Sequence, residues 1–495
     1  MTHDQAYAAL HAHLKTTGAL EQVAGVLNWD QETMMPEKGD PQRTEQMGAL
    51  EQVLHARRGD VQIGDWLAEI VEAKLDAAGR VNVAEARKSL HRAQRVPADL
   101  AETLARKTAA AMGIWAKARA ASDYAAFAPY LAEIISLKRQ EAEARHDGEA
   151  ELYDVLLGDY EPGQTGTGIA EILGRLREGL VELRGKISAS SIRHAAVPGR
   201  YDEAAQMALG REIASIFKYD FEAGRLDKSV HPFSSGSNGD ARITTRVNPD
   251  NPFDCLYSTI HEVGHAVYEQ RMPIEHMMTP AGYYASMGIH ESQSRMFENQ
   301  LGRSRAFCSH LFPKFTAAFG DRGLTDDSFY AAVNRVNAGF IRTESDEVHY
   351  NLHVLMRFDL ERALMNGDLA ATDLEAAWNE RFEADFGAKV SDATQGVLQD
   401  VHWSVGLFGY FPTYSLGNIY AGCLFEKMQA TLPDLNTQLS QGELVGPVDW
   451  LTDNIHRHAR MLTPTELITQ ATGQAPDERP LLGYLNAKLG ELYGF

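Results

Sequence analysis

Apolar positions recur every three or four residues through most of this chain, the spacing that gives an α-helix one buried stripe. Residues 4–27 follow it in an Ala/Leu-rich run. Residues 41–145 follow it again, with opposite charges four apart on the polar faces, which favours long solvated helices. No a/d heptad is sustained, which argues against a coiled coil. Between these runs, Trp29, Met34 and Met35 precede Pro36 and a Gly39-Asp40 turn, and read as core packing at a helix junction. A helix end and a Pro162-Gly163 turn follow within 151–164, then a helix pair around 169–188 and 202–216.

The period changes at 229–247. Asn238-Gly239-Asp240 has hairpin-turn composition, and Ala241, Ile243, Thr245 and Val247 alternate with Arg242, Thr244 and Arg246. A small antiparallel β-sheet is expected here, with an edge strand able to pair with an extended peptide. Helical spacing returns over 257–270, with Asn251 as cap, Pro252 at the first position and Pro273 beyond the end. Further helices are expected over 285–301, closed by Gly302, and over 326–365 and 373–387. The aromatic-rich stretch 396–418 reads as a loop. Helices resume after it, one of them opened by a capping box, Thr463-Pro464-Thr465-Glu466. The fold class is therefore mainly α. No repeat, linker or run of like charge marks a boundary, so 1–495 reads as one domain. Its portions are helices at about 1–228, a site region at about 229–418 and C-terminal helices at about 419–495.

Composition narrows the function classes. The 495 residues are 44% hydrophobic, enough for a sizeable interior. Lys and Arg total 47 against 68 Asp and Glu, a net charge of −21. That balance argues against a nucleic-acid partner and against docking on a membrane surface, both of which need clustered basic side chains. No apolar run reaches the 18 or so residues that span a bilayer. The N-terminus lacks a basic stretch followed by an apolar one, the pattern of a secretory signal. Cys255, Cys308 and Cys423 have no metal-like spacing and read as free thiols, so a cytoplasmic location is expected.

The chemistry concentrates in the helix at 257–270. His261, Glu262 and His265 form H-E-x-x-H. Residues four apart share a helix face, about 6 Å apart in rise, so two imidazoles can hold one metal ion. Glu262 can then serve as general base toward a water. A catalytic site needs a third protein ligand, and the next helix offers His290, Glu291 and Glu298. Glu291 follows His265 by 26 residues, room for a turn and a returning helix. Glu298 lies two turns further on nearly the same face, so spacing alone leaves it open. His290 suits support of a ligand better than ligation.

Six motifs in order resemble the carboxypeptidase Taq family of metallocarboxypeptidases. They are His231-Pro232-Phe233; Asp240, Arg242 and Thr244 as D-x-R-x-T; the H-E-x-x-H itself; His290-Glu291-Ser292-Gln293; Ile341-Arg342 with Asp346; and Gly396, Gln399, Asp400, His402 and Trp403 as G-x-x-Q-D-x-H-W. Ser345 stands where the family usually has alanine. The resemblance implies a large helical two-lobed body with a deep cleft, like neurolysin and angiotensin-converting enzyme. It implies a homodimer that removes single residues from peptide C-termini with broad specificity. It also makes Glu291 the third ligand, in agreement with the spacing. Zn²⁺ is the expected ion, and Co²⁺ or Mn²⁺ would suit the same donors.

Peptide hydrolysis also needs donors for the oxyanion. His402 and Tyr414, twelve residues apart, are the candidates, with Tyr410 the rival tyrosine. A free α-carboxylate suits a fixed guanidinium fork. Arg342 is the first candidate for it, with Arg242 and His231 after it. Asp240, Asp346 and Asp400 suit orientation of these groups. Competing functions are an oligoendopeptidase or dipeptidyl carboxypeptidase on the same scaffold, and a catalytically silent helical binding protein.

Overall fold

The computed structural model describes residues 1–495 and is built from twenty α-helices, short 3₁₀ turns and one three-stranded sheet. The chain gathers into two compact units, each assembled from three separate stretches. The first comprises Met1–Gln94, Ala195–Val333 and Cys423–Pro476; the second comprises Arg95–His194, Asn334–Gly422 and Asp477–Phe495. Two of the crossings fall inside the helices Ala77–Arg95 and Pro412–Thr431, so no loop composition marks them.

In the first unit, the opening helix His3–Thr33 is started by Thr2, which forms a capping box with Gln5. Ala6 and Leu10 bury its first turns against Ile63, Val83, Ala86 and Leu90. The helix runs through Trp29 to Thr33, beyond the expected end near 27. Trp29 is buried, and the guanidinium groups of Arg225 and Arg242 lie 4.9 and 4.4 Å from its ring centre. Cation–π attraction there joins the helix to the sheet.

The sheet has strands β1 (Leu226–Lys228), β2 (Ser234–Ser237) and β3 (Asp240–Thr245), in the order β1-β3-β2. The β2–β3 hairpin is antiparallel, as expected, and turns through Asn238 at φ 48°. β1 pairs parallel to β3, so the sheet is mixed, which corrects the all-antiparallel expectation. Three residues are too few to show a period of two in sequence. Thr245 on β3 bonds Ser258 and the Cys255 carbonyl, anchoring the sheet to the helix Pro252–Arg271.

Two further expectations need correcting, both in or beside the second unit. The run 326–365 is two helices, Asp326–Val333 and Glu347–Asn366, and the 13 residues between them hold Arg342 in a 3₁₀ turn. The expected loop 396–418 turns helical at Pro412. The capping box at Thr463 and Glu466 forms as expected. No helix is long and apolar enough to cross a membrane.

Candidate metal centre and active site

The helix Pro252–Arg271 starts as the sequence predicts, with the Asn251 side chain accepting from the Phe253 N–H and Pro252 in the first turn. Ile260, Val263, Ala266 and Val267 are fully buried, which turns His261 and His265 to one partly buried face. The next helix, Met287–Arg295, is capped by Ser286. It lies against the first at Gly264, where a Cβ would stand 2.6 Å from Ser294 Cα and 2.7 Å from the Gln293 carbonyl oxygen. Only a residue without a side chain admits so close a backbone.

That contact brings Glu291 to the two histidines. Its Oε2 is 3.8 Å from His261 Nε2 and 3.5 Å from His265 Nε2, and the three donor atoms all lie within 4.8 Å of one another. Two donors about 2.0–2.1 Å from a tetrahedral ion stand roughly 3.3 Å apart. Two imidazoles and a carboxylate so spaced therefore fit a small divalent ion. The other carboxylate oxygen of Glu291 accepts from Arg295 Nε at 2.7 Å, while Oε2, toward the histidines, accepts from Ser294 Oγ at 3.3 Å.

The outward nitrogens are occupied. Glu298 meets His261 at Nδ1, 2.9 Å away, and also bonds Arg295 and Arg303. It sits in the π-helical continuation Met296–Leu301, and its carboxylate meets His261 at Nδ1, away from the nitrogen that faces Glu291. His265 Nδ1 meets His290 Nδ1 at 2.5 Å, and His290 Nε2 meets Glu269 Oε1 at 2.9 Å. His290 thus lies behind His265 and is not among the three converging donors.

Charge at the site is set by burial against pairing. Burial raises the Glu291 carboxyl, but Arg295 and the two imidazoles outweigh it and hold it well below the usual carboxylate range. Glu298 falls to about 2 against its own burial, pulled by Arg295 and His261. Burial and the neighbouring His290 push His265 down to about 3, so its imidazole is neutral. Burial also lifts Glu262, next to His261, up to about 7, well above an ordinary glutamate and suited to accepting a proton.

The remaining candidates fall in two places. In the first unit, Arg242 places Nε and Nη2 on Asp240 at 2.7 and 2.9 Å, and His231 is exposed. In the second unit, Arg342 is buried and donates from Nε and Nη2 to Asp400 at 3.1 and 3.0 Å, and from Nη1 to Tyr350 at 3.3 Å. One N–H on each terminal nitrogen remains beyond these bonds. Asp400 is also held by Arg357 Nε at 2.6 Å, and the two arginines outweigh burial to keep it far below the usual range. His402 Nε2 lies 3.3 Å from the Tyr414 hydroxyl, and Tyr410 packs on both rings at 5.8 and 5.3 Å. Burial, then Arg342, push His402 down to about 4, leaving a neutral imidazole. Asp346 caps the helix after Arg342 and bonds His349 at 2.8 Å.

Sequence reasoning missed Arg295, Arg357 and Glu269. Arg295 had a signal, because it follows Glu291 by four residues on a helix. Arg357 and Asp400 meet across 43 residues, and nothing local marks that pair.

Comparison with known proteins gives the family. Residues 9–489 match the family described as carboxypeptidase Taq (M32) metallopeptidase. The chain is 41% identical over 512 aligned residues to thermostable carboxypeptidase 1 of Thermus thermophilus, covering 100% of both. It is 32% identical to carboxypeptidase 1 of Bacillus subtilis, with 97% of each covered. The solved M32 carboxypeptidase from Deinococcus radiodurans R1 is similar at a TM-score of 0.96 and 35% identity, over 99% of this chain and 100% of that one.

Proposed function

We propose, since this chain belongs to the carboxypeptidase Taq (M32) family of metallopeptidases, that it removes single residues from the free C-termini of peptides with broad specificity. The observation that carries the reading is the convergence of His261, His265 and Glu291 within 4.8 Å beside the buried Glu262. Zn²⁺ is the ion this reading assigns to them, on the strength of a two-nitrogen, one-oxygen donor set. When bound, it would supply a Lewis acid for the scissile carbonyl and make a water more acidic.

The chain's own groups do the rest. Glu262 takes the proton of the attacking water and delivers it to the departing amine. The neutral His402 and Tyr414, 3.3 Å apart, are assigned to the oxygen on which negative charge develops, with Tyr410 packed against both. Arg342 is assigned the terminal carboxylate through the N–H groups not turned to Asp400 or Tyr350. The reading carries over the family's helical two-lobed body and homodimer as part of the same proposal.

The test is a digest of one plain peptide and its C-terminal amide by the zinc-loaded protein. Stepwise release of free amino acids from the plain peptide alone is the expected result. Cleavage of both at internal bonds would replace the reading by an endopeptidase. Glu262→Gln should lose turnover while keeping its metal content.

A further inference from the structure

The two histidines of the H-E-x-x-H helix are backed unequally. Glu298 touches His261 directly, and its charge is shared with Arg295 and Arg303. His265 has no carboxylate on its outward nitrogen. It meets His290, from the neighbouring helix, and His290 in turn meets Glu269, one helical turn beyond His265. Glu269 is buried, and the one ion pair it makes is with His290. The His290 ring is boxed by Tyr284 edge-on at 4.7 Å and Tyr268 at 5.4 Å, so it has little room to turn.

Protons fix the direction of this chain. His265 presents Nε2 toward Glu291, so as a ligand it must carry its proton on Nδ1. That proton is donated to His290 Nδ1, which can accept only while the His290 proton sits on Nε2. The Glu269 carboxylate, 2.9 Å from Nε2 and able only to accept when ionised, selects that tautomer. In the other tautomer two N–H groups would face each other across 2.5 Å. His265 would then be driven to carry its proton on Nε2, where it cannot bind a metal.

We propose that Glu269 is a positioning residue that sets the metal affinity of the site through His290, by fixing the proton of His265 away from the ion. The proposal rests on the reading of His261, His265 and Glu291 as the metal site.

Zn²⁺ affinity of the metal-free full-length protein, measured by chelator competition, tests it without reference to activity. Glu269→Gln keeps an acceptor and loses the charge, and should bind Zn²⁺ about 10-fold more weakly; Glu269→Met loses both, and should approach 100-fold. The thermal midpoint of each metal-free variant should stay at the wild-type value. In a His290→Phe background, Glu269→Gln should have no further effect, because the path to the metal is already cut. Wild-type affinity in Glu269→Gln, or an undiminished effect in the His290→Phe background, would overturn the proposal. Should Glu269→Met fail to fold, the Glu269→Gln pair decides. If wild-type affinity survives loss of His265 itself, the metal reading fails first and the proposal with it.

Discussion

Gly264 and Ser294 touch backbone to backbone, and a Cβ on Gly264 would stand 2.6 Å from Ser294 Cα. This contact, inside the H-E-x-x-H segment but at one of its unspecified positions, sets how near Glu291 comes to the histidines. Gly264→Ala must therefore push the helix Met287–Arg295 outward or strain it in place. Overpacking of this kind typically costs about 1–3 kcal/mol. The expected outcome is a lower thermal midpoint together with weaker Zn²⁺ binding. Unchanged binding would mean that the two helices have slack at this crossing.

Arg342 gives a prediction that separates recognition from fold. Asp400 keeps a second guanidinium, Arg357 at 2.6 Å, so Arg342→Met leaves that carboxylate paired. Removing a charged partner of a carboxylate typically costs about 2–5 kcal/mol of binding. The kcat/KM ratio of a plain peptide to its amide should therefore collapse toward unity in Arg342→Met. A ratio that stays at the wild-type value would pass the anchor role to another cation.

Those two sites differ in how far the sequence alone reveals them. Helix starts at Asn251-Pro252 and Thr463-Pro464 were legible because a cap side chain and the backbone N–H that donates to it lie within three residues. The candidate third ligand was legible as a choice between Glu291 and Glu298, and both carboxylates do reach His261. What separates them is which ring nitrogen each meets, and the opening of the helix into a π turn at Met296 has no signature in the residue pattern. Strand β1 and the Arg357–Asp400 pair exist through partners 16 or more residues away, so local periodicity is silent about them. Trp29 was legible as core, but its two stacking arginines were not.

Two histidines outside the three converging donors, His456 fully buried and His402 half-buried, give the acid limb of stability. Burial, then Arg342, lower His402 to about 4, and burial, then Arg271, lower His456 to about 3. Unfolded, each imidazole binds a proton near 6.5. Below that pH the unfolded chain holds more protons than the folded one, so stability falls with acid, by about 1.4 kcal/mol per pH unit for each residue at full slope. His456 Nε2 also donates to Gln293 Oε1 over 2.9 Å, and a glutamine amide can keep that bond without titrating. His456→Gln should therefore flatten the fall in thermal midpoint between pH 6.5 and 4.5 relative to wild type. Parallel slopes would place the proton uptake elsewhere.

Glu361 sets an opposing trend. It is fully buried on the helix Glu347–Asn366 and accepts from Tyr153 Oη at 2.6 Å, Trp403 Nε1 at 3.1 Å and the Gly409 N–H at 3.2 Å. Burial pushes its carboxyl up to about 8 even though these three donors pull it down. A carboxyl raised on folding stabilises fully below its unfolded value, near 4.5, and loses that contribution as pH rises toward 8. Glutamine cannot ionise, so Glu361→Gln is free of this loss, whatever constant cost its amide incurs facing a donor. The difference in unfolding free energy, variant minus wild type, should thus grow with pH between 5 and 8, by up to about 1.4 kcal/mol per unit. Urea unfolding at three pH values measures it. A difference that stays flat would mean the three donors hold Glu361 ionised throughout, and that Trp403 and Gly409, which follow His402 in the chain, are fixed by a full negative charge.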